Sequence, residues 1–113
     1  MMKLIPDCYL PSNDVPAYVN HEAVCVLNTN KEDVTVELTL YFEDRDKLGG
    51  FSVVVPAERT LHIRTDKLVN ADGVGIPGAV PYAMVVECDK EISVQYTRVD
   101  MTSAQKSITT TMI

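Results

Sequence analysis

The sequence has few cysteines and aromatic residues: three cysteines, two phenylalanines and no tryptophan among 113 residues. Cys8, Cys25 and Cys88 are odd in number and widely spaced, and no CxxC pair occurs. The spacing excludes a zinc knuckle and a dithiol redox motif, since both need close cysteine pairs. Disulfides are rare in reducing compartments, and we expect the thiols to be free.

Long apolar runs are also missing. No stretch approaches the roughly 18 apolar residues that a membrane-spanning helix needs. Residues 1–7 contain no small-residue cleavage site after an apolar segment, which argues against a secretory signal. We therefore expect a cytoplasmic protein. A hydrophobic content of 46% over 113 residues fits one globular domain, residues 1–113, with its own core.

Basic residues are outnumbered. The chain has ten Lys and Arg residues and sixteen Asp and Glu residues, which gives a net charge of −6. Proteins that bind nucleic acid neutralise phosphates with Lys and Arg, so an acidic chain is poorly suited to that role. The composition favours an acidic surface without nucleic acid as a partner.

Alternation of apolar and polar residues is the dominant pattern that is present. In Val34–Phe42 every second residue is apolar and the residues between are polar, which predicts a strand with one buried face. His21–Asn28 is apolar on both faces, which predicts a central strand. Arg59–Arg64 places Leu61 and Ile63 on one face and Thr60, His62 and Arg64 on the other.

Further strands are predicted over 51–55, 82–87 and 92–99, the last two joined as a hairpin by the turn at 88–91. Residues 1–20, with three prolines, predict an extended lead-in that includes a possible short strand at Ile5, Tyr9 and Leu10. Residues 102–113 are either a last strand or a tail. Together these patterns predict an all-β, antiparallel, jelly-roll-like β-sandwich of about seven to eight strands.

Several polar residues are candidates for a small-molecule site. His62 and Arg64, with Thr60 on the same strand face, suit an anionic or polyhydroxyl ligand, because Arg offers a rigid fork of donors and His a switchable one. The alternative is that they lie on a solvated sheet face or pair with nearby carboxylates. Arg98 and Tyr96 would add a guanidinium and a hydroxyl to the same pocket. The alternative is that Arg98 and Asp100 form a structural ion pair or a subunit contact.

His21 and Glu22 are either further ligand contacts or a structural hydrogen-bonded pair. A metal site formed by His21, His62 and a carboxylate lacks any short-range ligand spacing, and we predict neither a metal nor a cofactor. Cys25 lies in an apolar strand and is most simply a buried hydrophobic residue. A nucleophilic role with His62 as base would need an exposed thiol.

Three stretches resemble one known family. They are HEAVCVLN at 21–28, VPAERTLHIR at 55–64 and VQYTRVD at 94–100. These patterns are similar, in the same order, to those of the sensory rhodopsin transducer family, and the resemblance covers about residues 5–112. It implies a β-sandwich, assembly as a cyclic homotetramer, and a ligand-binding or signal-transfer role without known catalysis. For members without a rhodopsin it implies a sugar-like ligand.

Three functions follow from these residues and this resemblance. The first is a non-enzymatic module that binds a small polar ligand, sugar-like or anionic, and passes the signal to a partner protein. The second is an adaptor that docks on the cytoplasmic face of a membrane sensory receptor. The third is a DNA-binding regulator, which the net charge disfavours.

Overall fold

A computed structural model of the chain describes residues 1–10, 21–100 and 107–113. The strands are β1 (Met2–Tyr9), β2 (His21–Asn28), β3 (Val34–Phe42), β4 (Leu48–Val55), β5 (Arg59–Arg64), β6 (Pro81–Glu87), β7 (Ser93–Asp100) and β8 (Ser107–Met112). A 3₁₀ turn at Thr65–Lys67 follows β5. The part of the lead-in at 11–20 and the start of the tail at 101–106 lie outside the described residues.

The strands form two four-stranded antiparallel sheets. The first, sheet A, has the order β1-β6-β3-β4, and the second, sheet B, has the order β5-β2-β7-β8. The buried apolar residues of both sheets belong to one core cluster. The predicted all-β antiparallel sandwich is therefore confirmed, and it has eight strands among the described residues.

Alternation sets which face each strand buries. In β3, Val34, Val36, Leu38 and Leu40 are buried and the residues between them are not. β2 lies between β5 and β7, as its apolar character predicts. Its outward residues are only partly covered, however, and Leu27 is 45% exposed.

The predicted hairpin between β6 and β7 is wrong. β6 belongs to sheet A and β7 to sheet B, so residues 88–92 carry the chain from one sheet to the other. The physical reason is burial, because Cys88 and Ile92 at the two ends of this connection both enter the core. A tight hairpin would have left these side chains at its tip in water.

Candidate functional site

The candidate residues fall on the two faces of sheet B. Residues directly opposite each other on neighbouring strands share a face. His62 lies opposite Cys25, which lies opposite Gln95, and all three point away from the core. Ile63, Val24 and Tyr96 form the next row and point inwards. The candidates therefore lie in two separate places, and the single pocket expected from the sequence is not formed by them. The outer group is Thr60, His62, Arg64 and His21, and the inner group is Glu22, Tyr96 and Arg98.

In the outer group, Arg64 already has a partner. Its Nε and Nη2 donate to the two carboxylate oxygens of Asp66, each at 2.8 Å. Burial opposes ionisation of Asp66, but the hydrogen bonds and charge of Arg64 outweigh it and hold the pKa of Asp66 below its ordinary value. The pKa of Arg64 is raised by the same bonds. The guanidinium fork is thus occupied within the molecule.

His62 and Thr60 line a shallow depression of about 200 Å³ on the outer face of sheet B, together with Cys25, Leu27 and Gln95. Ligand pockets usually hold about 300–1,000 Å³, and this one is smaller. The Thr60 hydroxyl donates to the backbone carbonyl of Val26 at 3.3 Å. Burial raises the pKa of the Cys25 thiol, which disfavours the thiolate that a nucleophile needs.

His21 and Glu22 do not form a pair. As neighbours on a strand they point to opposite faces, His21 outwards and Glu22 into the core. His21 is a further, smaller cause of the lowered pKa of Asp66. Its Nδ1 atom is buried and has no hydrogen-bond partner within the described ranges.

Glu22 is the centre of the inner group. Its side chain is fully buried and accepts hydrogen bonds from the hydroxyl groups of Tyr82 and Tyr96. The Thr65 hydroxyl donates to the same carboxylate at 2.9 Å. The three donors come from β6, from β7 and from the 3₁₀ turn, so one carboxylate joins both sheets.

Burial controls the ionisation of this cluster. It raises the pKa of Glu22, although the hydrogen bonds and Arg98 act in the opposite direction. Burial and the charge of Glu22 also raise the pKa of Tyr96 and bring that of Cys8 to about 12. Cys8 therefore stays a thiol at neutral pH.

A larger cavity lies beside Tyr96 and Arg98. It holds about 400 Å³ and is lined by Ile5, Pro6, Asp7, Tyr96, Arg98, Thr109, Thr111 and Ile113. These residues belong to β1, β7 and β8 and to the residue that follows β8, so the cavity opens at the edge where the two sheets meet. Its volume falls within the range of small-molecule pockets.

Arg98 is held loosely in this cavity, which we call the edge cavity. Its guanidinium carbon lies 5.9 Å from the ring centroids of both Tyr9 and Tyr96, within cation–π range. Its polar contacts with the described residues are long: 3.4 Å to the Tyr96 hydroxyl, to the Asp7 backbone carbonyl and to the Asp7 carboxylate, whose side chain is 89% exposed. Arg98 contacts Asp7. The side chain of Asp100 lies outside the described ones, so the ion pair of Arg98 with Asp100 stays a prediction.

Sequence reasoning missed Tyr82, Thr65, Asp7 and Tyr9. The available signal was Glu22, a carboxylate at an inward position of a strand, since a buried charge must find donors. Which donors it finds depends on strand pairing, which the sequence does not display. Across residues 1–10, 21–100 and 107–113, no group of three or more His, Cys, Asp or Glu side chains is arranged to hold a metal ion.

Two antiparallel sheets packed around one core define an all-β sandwich with a cavity at its edge that is lined by apolar side chains and by Arg98. A family model described as the Anabaena sensory rhodopsin transducer matches residues 2–113. The chain belongs to this family, and the resemblance seen in its sequence is confirmed. No curated protein matches the chain.

Two solved structures are similar to this one. The Thermotoga maritima 1070 structure has a TM-score of 0.83 and 28% identity, over 98% of this chain and 90% of that chain. The Anabaena sensory rhodopsin transducer has a TM-score of 0.77 and 36% identity, over 88% of this chain and 87% of that chain. Family and fold favour a signal-transducing, non-enzymatic role. In the part of the chain that the structure describes, no helix has the length and apolar character to cross a membrane.

Proposed function

We propose that the protein is a signal-transducing module that binds a small polar ligand, anionic or sugar-like, in the edge cavity and passes this state to a partner protein. The observation that carries the proposal is Arg98, which faces a cavity of about 400 Å³ and whose hydrogen bonds to the described residues are all long. The module acts without catalysis, as a single cytoplasmic domain over residues 1–113 that assembles as a homotetramer.

The chemistry of the edge cavity suits such a ligand. A guanidinium offers several donors in a planar fork, which matches a carboxylate or a pair of sugar hydroxyls. Thr109 and Thr111 add hydroxyls, and Ile5, Pro6 and Ile113 add apolar contacts. Arg64, by contrast, already binds Asp66 in this same bidentate manner.

A chain of hydrogen bonds supports the transfer of a signal from this cavity. Arg98 contacts the Tyr96 hydroxyl, Tyr96 donates to Glu22, and Tyr82 donates to Glu22 from the other sheet. A ligand that draws Arg98 away from Tyr96 would change the environment of a carboxylate on which both sheets depend. Contiguous networks of this kind can carry coupling between distant sites.

Thermal unfolding in the presence of small organic acids and monosaccharides tests the ligand. A ligand at 100 times its dissociation constant stabilises the folded state by about 2.7 kcal/mol. We expect at least one acid or sugar to raise the melting temperature of the wild type and to lose this effect in Arg98→Gln.

Arg64→Gln is the matched control, because it removes a guanidinium from the opposite face of the same sheet. It should keep the ligand response. The proposal fails if no compound at millimolar concentration stabilises the wild type. A response lost in Arg64→Gln and kept in Arg98→Gln would move the site to the outer face.

The second candidate function is an adaptor that docks on the cytoplasmic face of a membrane sensory receptor without a small ligand. The name of the Anabaena relative, a sensory rhodopsin transducer with 36% identity, favours it. Under this function a receptor such as a rhodopsin binds the wild type and Arg98→Gln equally well. Under the first function, the small ligand changes the affinity of the wild type for its partner protein.

A further inference from the structure

The outer face of sheet A carries exposed apolar side chains beside acidic ones. Leu4 is 60% exposed and Tyr41 is 43% exposed. Leu4 lies directly opposite Val85, and Tyr41 lies directly opposite Ala83, so these side chains occupy adjacent rows of one sheet face. We call this surface, formed by Leu4, Glu37, Tyr41, Ala83, Val85 and Glu87, the acidic–apolar face.

Its acidic row is unfavourable for the isolated molecule. Glu37 and Glu87 are exposed and lie directly opposite each other on β3 and β6. Like charges directly opposite on neighbouring strands destabilise a sheet. Glu37 and Glu87 line a groove of about 610 Å³. Asp33 and Asp89 line it too, which concentrates negative charge further.

In the part of the chain that the structure describes, few cations offset this charge. Lys47 lies 5.9 Å above the Tyr41 ring, and the N-terminal ammonium, which also lines the groove, donates to the Cys88 carbonyl at 2.7 Å. Among the described side chains, no Lys or Arg forms an ion pair with Glu37 or Glu87. The row is therefore open to cations from outside the molecule.

The chemistry of this face selects one kind of occupant. Two copies meeting through it would bring like charges together, and anionic lipid would be repelled in the same way. A segment with Lys or Arg beside apolar residues would pair with the acidic row and cover the apolar rows. In a helix, residues i and i+4 lie about 6 Å apart along the axis. This is close to the roughly 6.8 Å between alternate residues of a strand.

We propose that the acidic–apolar face is the docking surface for a basic amphipathic helix of a partner protein. This inference rests on the partner in the proposed function and names its chemistry. β6 places Ala83, Val85 and Glu87 on this face and directs Tyr82 inwards to Glu22. The strand that would touch the partner is thus the one that the buried carboxylate holds.

The test uses the full chain and a synthetic 18-residue helix of Leu and Lys, with the same peptide carrying Glu in place of Lys as a control. Calorimetric titration should show binding of the Lys peptide that weakens with salt, and no binding of the Glu peptide. The double variant Glu37→Gln/Glu87→Gln should bind the Lys peptide about tenfold more weakly, the scale of two lost exposed ion pairs.

The matched control is Glu58→Gln/Asp72→Asn, which removes two exposed carboxylates outside this face and should bind like the wild type. Unfolding cannot explain a loss of binding in Glu37→Gln/Glu87→Gln, because relief of the like-charge pair should leave the melting temperature of this variant unchanged or raise it.

Equal affinity of the wild type and the test variant, or equal loss in both double variants, would overturn the docking face. Neither result depends on Arg98 or on the small ligand. A failed peptide titration beside a positive ligand screen therefore refutes only the docking face, and the reverse outcome refutes only the ligand cavity.

Discussion

Glu22 shows how a single residue links the sheets. It occupies an inward position of β2, in the alternation that also buries Val24 and Val26. A carboxylate in the core is costly unless it has donors, and Glu22 has the hydroxyls of Tyr82, Tyr96 and Thr65. Its ionisation therefore affects the stability of the sandwich.

Replacing Glu22 with Gln should change how stability depends on pH. Burial raises the pKa of Glu22, so the folded state keeps this proton at pH values where the unfolded chain, with a Glu pKa of about 4.3, has released it. The free energy of unfolding of the wild type should fall, relative to that of Glu22→Gln, as pH rises from about 4.3 through the folded-state pKa. Urea unfolding of both proteins across this range measures it, and parallel curves would contradict it.

The candidate site was only partly predictable residue by residue. Tyr96, Arg98 and Glu22 were identifiable as polar side chains in apolar strands. Their separation from Thr60, His62 and Arg64 was not predictable. Whether two strands place residues on the same face depends on register, and a shift of one residue exchanges the faces.

At the scale of elements, Asn28 connects two corners of the sandwich. Its buried amide nitrogen donates to the carbonyls of Glu32, Val55 and Pro56 at 2.9–3.1 Å. Its carbonyl oxygen accepts from the backbone N–H of Asn30 at 3.0 Å. The turn after β2 is thereby fixed to the bend between β4 and β5.

Asn28→Asp should be strongly destabilising. The carboxylate would replace a donor and face three carbonyl oxygens in a buried position, which should cost about 3 kcal/mol or more. Part of the loss should be recovered in acid, because a protonated carboxyl group donates one hydrogen bond. Chemical denaturation at neutral and acidic pH measures both effects. A loss under about 1 kcal/mol at neutral pH would show that the corners do not depend on this amide.

Strands were more predictable than their connections. β3 follows from alternation alone, since a strand with one buried face must repeat with period two. The β6–β7 connection was predicted as a hairpin because the four residues 88–91, which include Asp89, separate two apolar runs. Whether Cys88 and Ile92 are buried decides between a hairpin and a connection that crosses from one sheet to the other. Their burial depends on how the whole core is packed.

Across the whole molecule, polar groups are arranged from the edge cavity to the outer face of sheet A. Arg98 lies in the cavity, Glu22 lies between the sheets, and β6 presents Tyr82 on its inner side and Glu87 on its outer side. The net charge of −6 predicted an acidic surface. It did not predict that acidic residues lie beside apolar residues on sheet A, since that depends on the strand order.

A ligand bound at Arg98 should act on β6 through Glu22. The most direct measurement is the change in backbone amide NMR shifts as the acid or sugar with the largest thermal effect is added. In the wild type we expect shifts at the cavity and along β6 from Tyr82 to Glu87. In Tyr82→Phe we expect the cavity shifts to remain and those of β6 to disappear. Shifts confined to the cavity in the wild type would contradict the claim.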